Sequence, residues 1–153
     1  MVRKFFLLIA FTLLLTFRVS AVGKGFAIGV DQETYAACKK EIDDYNNLLE
    51  REGFTLVILS RVWRQPDEVK EELLKLYQQN ALEGVIFIGQ VPVPMIRDAQ
   101  HLTSSFKMDQ ERFPRRESSV PSDRFYDDFD LKFDYLGREE KEPLLHYYSL
   151  RSD

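Results

Sequence analysis

Phe54-Thr-Leu-Val-Ile-Leu59, Pro66-Asp-Glu-Val-Lys-Glu-Glu-Leu-Leu-Lys-Leu-Tyr77 and Val85-Ile-Phe-Ile88 are the stretches that decide the fold. The outer two are apolar throughout, as strands covered on both sheet faces must be. Between them Val69, Leu73, Leu76 and Tyr77 recur at helical spacing and make one apolar stripe. Pro66 opens that helix where a missing N–H does no harm, and Asp67 and Glu68 face the free amides of its first turn. Glu83-Gly84 is expected to end it. Toward the amino end, Phe26-Ala-Ile-Gly-Val30 reads as another short buried strand. A helix follows from Asp31, with Tyr35, Cys38, Ile42, Tyr45 and Leu49 on one stripe, and Gly53 stops it. Strand, helix, strand, helix, strand at this spacing predicts right-handed parallel crossovers: an α/β fold with a doubly wound, Rossmann-like sheet in three layers.

Beyond Gly89 the pattern changes. Val91-Pro92-Val93-Pro94 is not expected to form an interior strand, because each proline removes a ladder donor. Residues 95–106 are expected to hold one helix begun by Pro94. Residues 107–124 are polar and broken by Pro114 and Pro121, which predicts a long surface loop, and such loops often carry function. Asp128-Phe-Asp-Leu-Lys-Phe-Asp-Tyr135 alternates strictly, predicting an added edge strand with Phe129, Leu131, Phe133 and Tyr135 on its covered face. Leu144–Leu150 is expected to return as a further strand. Three parallel strands make a small sheet, so the domain at 22–153 is expected to be a fragment of a larger one.

The amino terminus has the three zones of an export signal. Arg3 and Lys4 precede an apolar run from Phe5 to Phe17, and Val19-Ser20-Ala21 offers small residues for cleavage. A bilayer-crossing helix needs roughly 20 apolar residues, and Arg18 interrupts this run sooner. Residues 1–21 are therefore expected to be removed, with no membrane anchor left. The product is expected in the periplasm, at the cell surface or outside the cell. Loss of Arg3, Lys4 and Arg18 leaves 18 basic side chains against 25 acidic ones, a net charge of −7. That balance argues against nucleic acid and against anionic membrane surfaces. One cysteine excludes an internal disulfide framework.

The common chemical motifs are missing: no Gly-x-Ser-x-Gly elbow, no His-Glu-x-x-His helix and no phosphate loop. Cys38 invites a nucleophile reading with His101 or His146 as base. A reactive thiol needs exposure and positive surroundings, whereas Cys38 sits on the apolar stripe and is expected to be a buried core thiol. The two histidines lack partners at ligand spacing and are expected at the surface or its boundary. Asp123, Asp127 and Asp128, with Asp130 and Asp134 beyond them, offer hard oxygens suited to calcium. Alternate strand residues stand about 6.6 Å apart, which leaves Asp123, Asp127 and Asp128 as the better ligands. A solvated acidic edge that blocks strand pairing is the simpler account, and no other cofactor is indicated. Arg112, Arg115 and Arg116 make a small basic spot, able to pair with the acidic cluster or with an acidic partner.

The segment Leu82-Glu-Gly-Val-Ile-Phe-Ile-Gly-Gln-Val-Pro-Val-Pro94, with Ser122-Asp-Arg-Phe-Tyr126 after it, resembles gingipain-type cysteine peptidases of the caspase fold. There a hydrophobic strand ends in Gly-Asp or Gly-Glu, runs into an Ile/Val-Pro segment, and is followed by a Ser/Thr-Asp-x-x-Tyr loop. Gln90 stands here in place of the acid. The resemblance covers roughly residues 54–134. It implies a secreted peptidase acting on peptide or protein substrates, with a catalytic His and Cys on later strands. Neither is matched here, so no catalytic residue is assigned and this chain is expected to be inactive. Asp123 and Tyr126 match the family loop and are expected to order it beside the cleft. Two other readings stay open: a non-catalytic exported α/β binding module using the 107–128 loop, and an unrelated exported α/β protein.

Overall fold

The computed structural model describes residues 24–80, 82–98 and 108–151. The expected signal peptide, His101 and most of the helix expected over 95–106 lie outside the described residues. Strand β1 (Lys24–Asp31) leads into helices α1 (Gln32–Ala37) and α2 (Lys39–Arg51), then β2 (Phe54–Arg61), α3 (Pro66–Asn80) and β3 (Leu82–Ile88). These strands form a parallel sheet in the order β2-β1-β3. Strand alternation divides their side chains between two faces. Ala27, Val57, Leu59, Val85 and Phe87 pack with Val69 and Leu73 of α3. Ile28, Val30, Leu56, Ile58 and Ile88 pack with Ile42 of α2. One helix thus covers each face, and each fully buried Ile, Val or Leu contributes about 1.5–3 kcal/mol. The expected parallel α/β core is present.

Its first helix is broken. Cys38 leaves helical geometry at φ −111° and ψ 19°, separating α1 from α2. Hydrogen bonds from Cys38 N–H to Thr34 O and from Ile42 N–H to Cys38 O carry the ladder across the break. At that break Cys38 is half-buried against the Ile28–Val30–Ile42 cluster, more open than a mid-helix core thiol. The second helix ends at Asn80, and Glu83-Gly84, expected as its stop, belongs to β3.

The remainder forms a mixed four-stranded sheet in the order β5-β4-β7-β6, from β4 (Val93–Arg97), β5 (Val120–Pro121), β6 (Phe133–Arg138) and β7 (Leu145–Leu150). Strand β4 overturns the expectation that Pro92 and Pro94 exclude an interior strand, and it replaces the start of the expected helix. Val93 N–H donates to Leu144 O on the β7 side, and Pro94 O accepts from Ser122 N–H on the β5 side. Successive residues aim their polar groups to opposite sides, so the N–H that Pro94 lacks faces the two-residue β5. The parallel β4–β7 ladder loses nothing.

Strand β6 is an edge strand as expected, but starts five residues late. The Asp128 carboxylate accepts from Asp130 N–H (3.2 Å) and Leu131 N–H (3.3 Å), which bends the chain at Phe129 and Asp130 before the strand begins. A bulge between Tyr135 and Gly137 then ends the strict alternation, leaving Tyr135 half-exposed rather than covered. The segment expected as a plain surface loop holds α4 (Arg115–Ser118) and β5, with Ser118 and Ser119 buried. Gln110 secures it: its backbone oxygen accepts from the Arg97 guanidinium (2.6 Å) and its side chain donates to Ser118 O (3.2 Å).

The parallel sheet is joined to the chain beyond β3 at the carboxyl end of β1. Asp31 caps α1 by accepting from Thr34 N–H (2.9 Å), and it also accepts from Gln90 N–H (2.7 Å) just after β3. Gly89 has φ +77°, and a Cβ there would lie 2.2 Å from Asp31 Oδ2 and 2.4 Å from Thr34 Oγ1. Glycine is needed on both counts. Burial pushes the Asp31 carboxyl up, but hydrogen bonds from Thr34, Gln90 and Glu33 outweigh it and hold the group at about 2. Below its ordinary 3.8 the unfolded chain takes up this proton first. The contribution to stability is therefore complete above that value and is lost as pH falls through about 2. Asp31→Ala is expected to cost about 2 kcal/mol in urea unfolding at pH 7 and to remove this acid limb; an unchanged acid limb would contradict the clamp.

Candidate functional site

A groove of about 790 Å³ runs along β3. Leu73 and Tyr77 of α3 and Leu82, Val85 and Phe87 of β3 line one side; Asp123, Arg124 and residues 126–130 form the other. That second wall contains a single helical turn, α5 (Arg124–Asp127). Tyr126 N–H (2.8 Å) and Asp127 N–H (3.1 Å) both donate to Asp123 O, and Phe125 N–H donates to Ser122 O (3.3 Å).

Two buried aromatics hold the turn. Phe125 packs on Tyr148 at 4.5 Å and on Phe133 at 4.9 Å between ring centroids. Tyr126 lies 4.9 Å from the Phe87 ring, and its hydroxyl donates to Pro92 O at 2.6 Å. Burial, with the Asp67 and Asp123 carboxylates nearby, raises the phenol well above its ordinary value, so it stays a donor. Tyr126 therefore ties the turn to β3 and to the connection leaving β3.

Lys70 holds the same wall from beneath. Its ammonium donates to Asp128 O (3.1 Å) and Leu131 O (3.3 Å) and stands about 5 Å from the Phe125 and Phe133 rings. Burial pulls its pKa down, opposed by Asp128, Asp67 and Asp127. One turn earlier on α3, Asp67 accepts a short hydrogen bond from the Tyr148 hydroxyl, whose pKa is raised by burial and by that carboxylate. Sequence reasoning missed Lys70, Asp67 and Tyr148. A signal for Lys70 was present: Lys70, Leu73 and Tyr77 stand at i, i+3 and i+7, one helix face.

The expected site residues are only partly assembled. Asp123 and Asp127 are exposed on the groove wall, while Asp128 is half-buried and engaged in its own turn. Among the described residues no three His, Cys, Asp or Glu side chains gather as a metal-binding group. The basic spot does not pair with the acidic cluster. Arg115 donates to Leu136 O (2.7 Å), Arg116 pairs with Glu142, and Arg112 lies over Phe113. Two of the three arginines thus hold the β6–β7 hairpin.

Cys38 and His146 do not meet. Cys38 belongs to the α2 side of the parallel sheet, whereas β7, which carries His146, packs through Tyr148 on the α3 side. His146 is also not at the surface. It is 2% exposed between Pro94 and Arg138 of the flanking strands, because β7 is an inner strand. Among the described residues neither ring nitrogen has a well-formed hydrogen bond. Burial and the Arg138 guanidinium hold the imidazole below its ordinary value, with the Pro143 carbonyl and Asp67 acting the other way.

An imidazole kept neutral in the fold charges first in the unfolded chain. Its contribution is complete above the ordinary value of 6.5 and is lost as pH falls below that. Urea unfolding between pH 7.5 and 5 is expected to show this loss, and His146→Leu to flatten it; an identical slope in both proteins would contradict the burial argument. Tyr126→Phe leaves Pro92 O unpaired and is expected to cost roughly 1–3 kcal/mol and to speed proteolytic nicking at residues 122–131; an unaltered nicking rate would show that the hydroxyl does not order the turn. No protein-family model, curated protein or solved structure matches this chain.

Proposed function

We propose that this chain is the amino-terminal part of an exported cysteine peptidase of the gingipain type, whose catalytic His and Cys are absent from it. One contact carries this reading. The two segments that bear the resemblance, residues 82–94 and 122–126, lie far apart in sequence and touch in space. Tyr126 joins them through Phe87 and Pro92 O. The strand order β2-β1-β3, with a helix on each face, supports extension into a doubly wound caspase-like sheet. Substrates would be peptides or proteins. A thiolate supplied by later strands would attack the scissile carbonyl and an imidazole would serve as base. In this division of labour the present chain supplies the sheet and the Asp123–Tyr126 turn beside the cleft.

The competing reading is an exported binding module that uses the 107–128 segment as its contact surface. It is supported by the order of that segment, where Gln110 accepts from Arg97 and donates to Ser118 O.

The gene read in frame past Asp153 decides between them. The peptidase reading expects a later His and Cys, and a longer product that cleaves a fluorogenic peptide library until its thiol is alkylated. In that product Cys38→Ala is expected to keep activity while losing on the order of 1 kcal/mol of stability. A stop codon after Asp153, or activity abolished in a folded Cys38→Ala protein, would overturn the proposal.

A further inference from the structure

We infer that the outer edge of β2 pairs with the same edge of a second copy of this chain, antiparallel about a two-fold axis at Ile58. The pairing lies on the side of the sheet away from β3, and it does not rest on the peptidase reading.

Strands β2, β3, β5 and β6 end the two sheets, and their edges are guarded differently. Natural proteins keep a free edge from pairing by shortness, proline, charge or a bulge. Strand β5 is two residues long, and one of them is Pro121. Strand β6 carries Asp134 and Arg138 and is kinked by the bulge between Tyr135 and Gly137. Strand β3 is the edge from which the proposed longer sheet would continue. Strand β2 has none of these devices. Phe54-Thr-Leu-Val-Ile-Leu-Ser60 holds no charge and no proline, and all eight residues of β2 keep an unbroken register with β1. Its outer side has no partner strand among the described residues, which leaves about 26 Å of unbulged edge.

Symmetry chooses the register. A two-fold axis normal to the sheet runs the two strands antiparallel and keeps each face with its like, so only residues of the same face stand opposite. Centred on Ile58, Val57 meets Leu59, Leu56 meets Ser60 and Thr55 meets Arg61 of the other copy. Thr55 and Arg61 are the exposed residues of the strand, so its polar ends face each other while the apolar middle closes on itself. Val62 comes next, 71% exposed, and gains Phe54 of the other copy as an apolar neighbour. Centring on Val57 would instead set exposed Thr55 against buried Leu59. Charge does not oppose the pairing. Residues 54–60 carry none of the chain's net negative charge, and Arg61, held 3.2 Å from Glu72 of α3, faces a hydroxyl. Helix α2, packed on β2, leaves Leu48 52% exposed, and the axis brings both copies of α2 to one side of the joined sheet.

Sedimentation of the full chain is expected to show a monomer–dimer equilibrium between about 1 μM and 1 mM, as suits a small interface. The two-fold makes the Thr55–Arg61 contact twice, so a charge placed at position 55 acts twice. T55K sets like charges opposite each other, T55E sets unlike ones, and both stand at an exposed position. T55K is expected to dimerise at least tenfold more weakly than T55E, with both melting at the wild-type temperature in dilute solution. Hydrogen exchange is expected to slow at alternate amides of 54–61 as the concentration rises. A chain monomeric over the whole range, equal dimerisation of T55K and T55E, or slowing confined to other segments would each overturn the proposal. So would a monomer whose 54–61 amides are protected at every concentration, since another part of the same chain would then cover the edge. Should T55K melt early, V62D replaces it. Weaker dimerisation of V62D supports the contact, and unchanged dimerisation counts against it.

Discussion

The Asp31 carboxylate is the point on which the arrangement turns. It ends β1, caps α1 and grips the backbone just past β3, so three elements are fixed relative to one another by two hydrogen bonds. That grip sets where the chain leaves the parallel sheet. Gly89 can pass only because it has no side chain, Val91 then enters the core, and Pro92 presents its carbonyl where Tyr126 reaches it. The position of the groove wall thus follows from the grip on Gln90. In open α/β sheets ligands favour the crevice outside the carboxyl ends of the strands. Here Asp31 and Gln90 occupy that place at the β1–β3 boundary, and the open groove lies along the side of β3 instead.

Helix α3 is shared between the two sheets. Val69 and Leu73 face the parallel sheet, while Asp67 and Lys70 reach Tyr148 and the 128–131 turn. Ala27 of β1 and Tyr148 of β7 consequently belong to one core. The polar contacts add placement to this packing. A lysine whose ammonium lies over two aromatic rings and ends on two carbonyls has few other orientations, so the turn it supports is held in one register.

The parallel sheet was legible in the amino-acid order because each element there follows a single rule. Strands covered on both faces are apolar throughout, and the helix between them repeats at three and four. The second sheet obeys competing rules. Prolines argue against a strand unless the missing donor points away from the longer ladder, and nothing local in Val91–Pro94 tells which side that is. The alternation from Asp128 favours a strand, yet the short side chain of Asp128 itself captures the backbone and delays it. Of the candidate site, Asp123 and Tyr126 were visible through resemblance, while Lys70 showed only its place on the Leu73–Tyr77 face of its helix and not the carbonyls it would meet. His146 was misjudged because burial of a lone imidazole between two strands leaves no mark on its sequence neighbours.

The pairing of β4 with β7 has a consequence for how the chain is made. The parallel three-stranded sheet is complete once residue 88 has been synthesised, and its strands are joined by helices formed from nearby residues. Strand β4 comes at once, but its parallel neighbour begins at Leu145, about 50 residues later. Until then β4 has no lasting partner on that side, Ile96 and Val69 stay partly wet, and the turn that bears Tyr126 has no Tyr148 to rest against. Growth from the amino end therefore brings out every residue of the parallel sheet before the β7 partner of β4, and in that interval the apolar side chains awaiting β7 are open to chaperones and proteases.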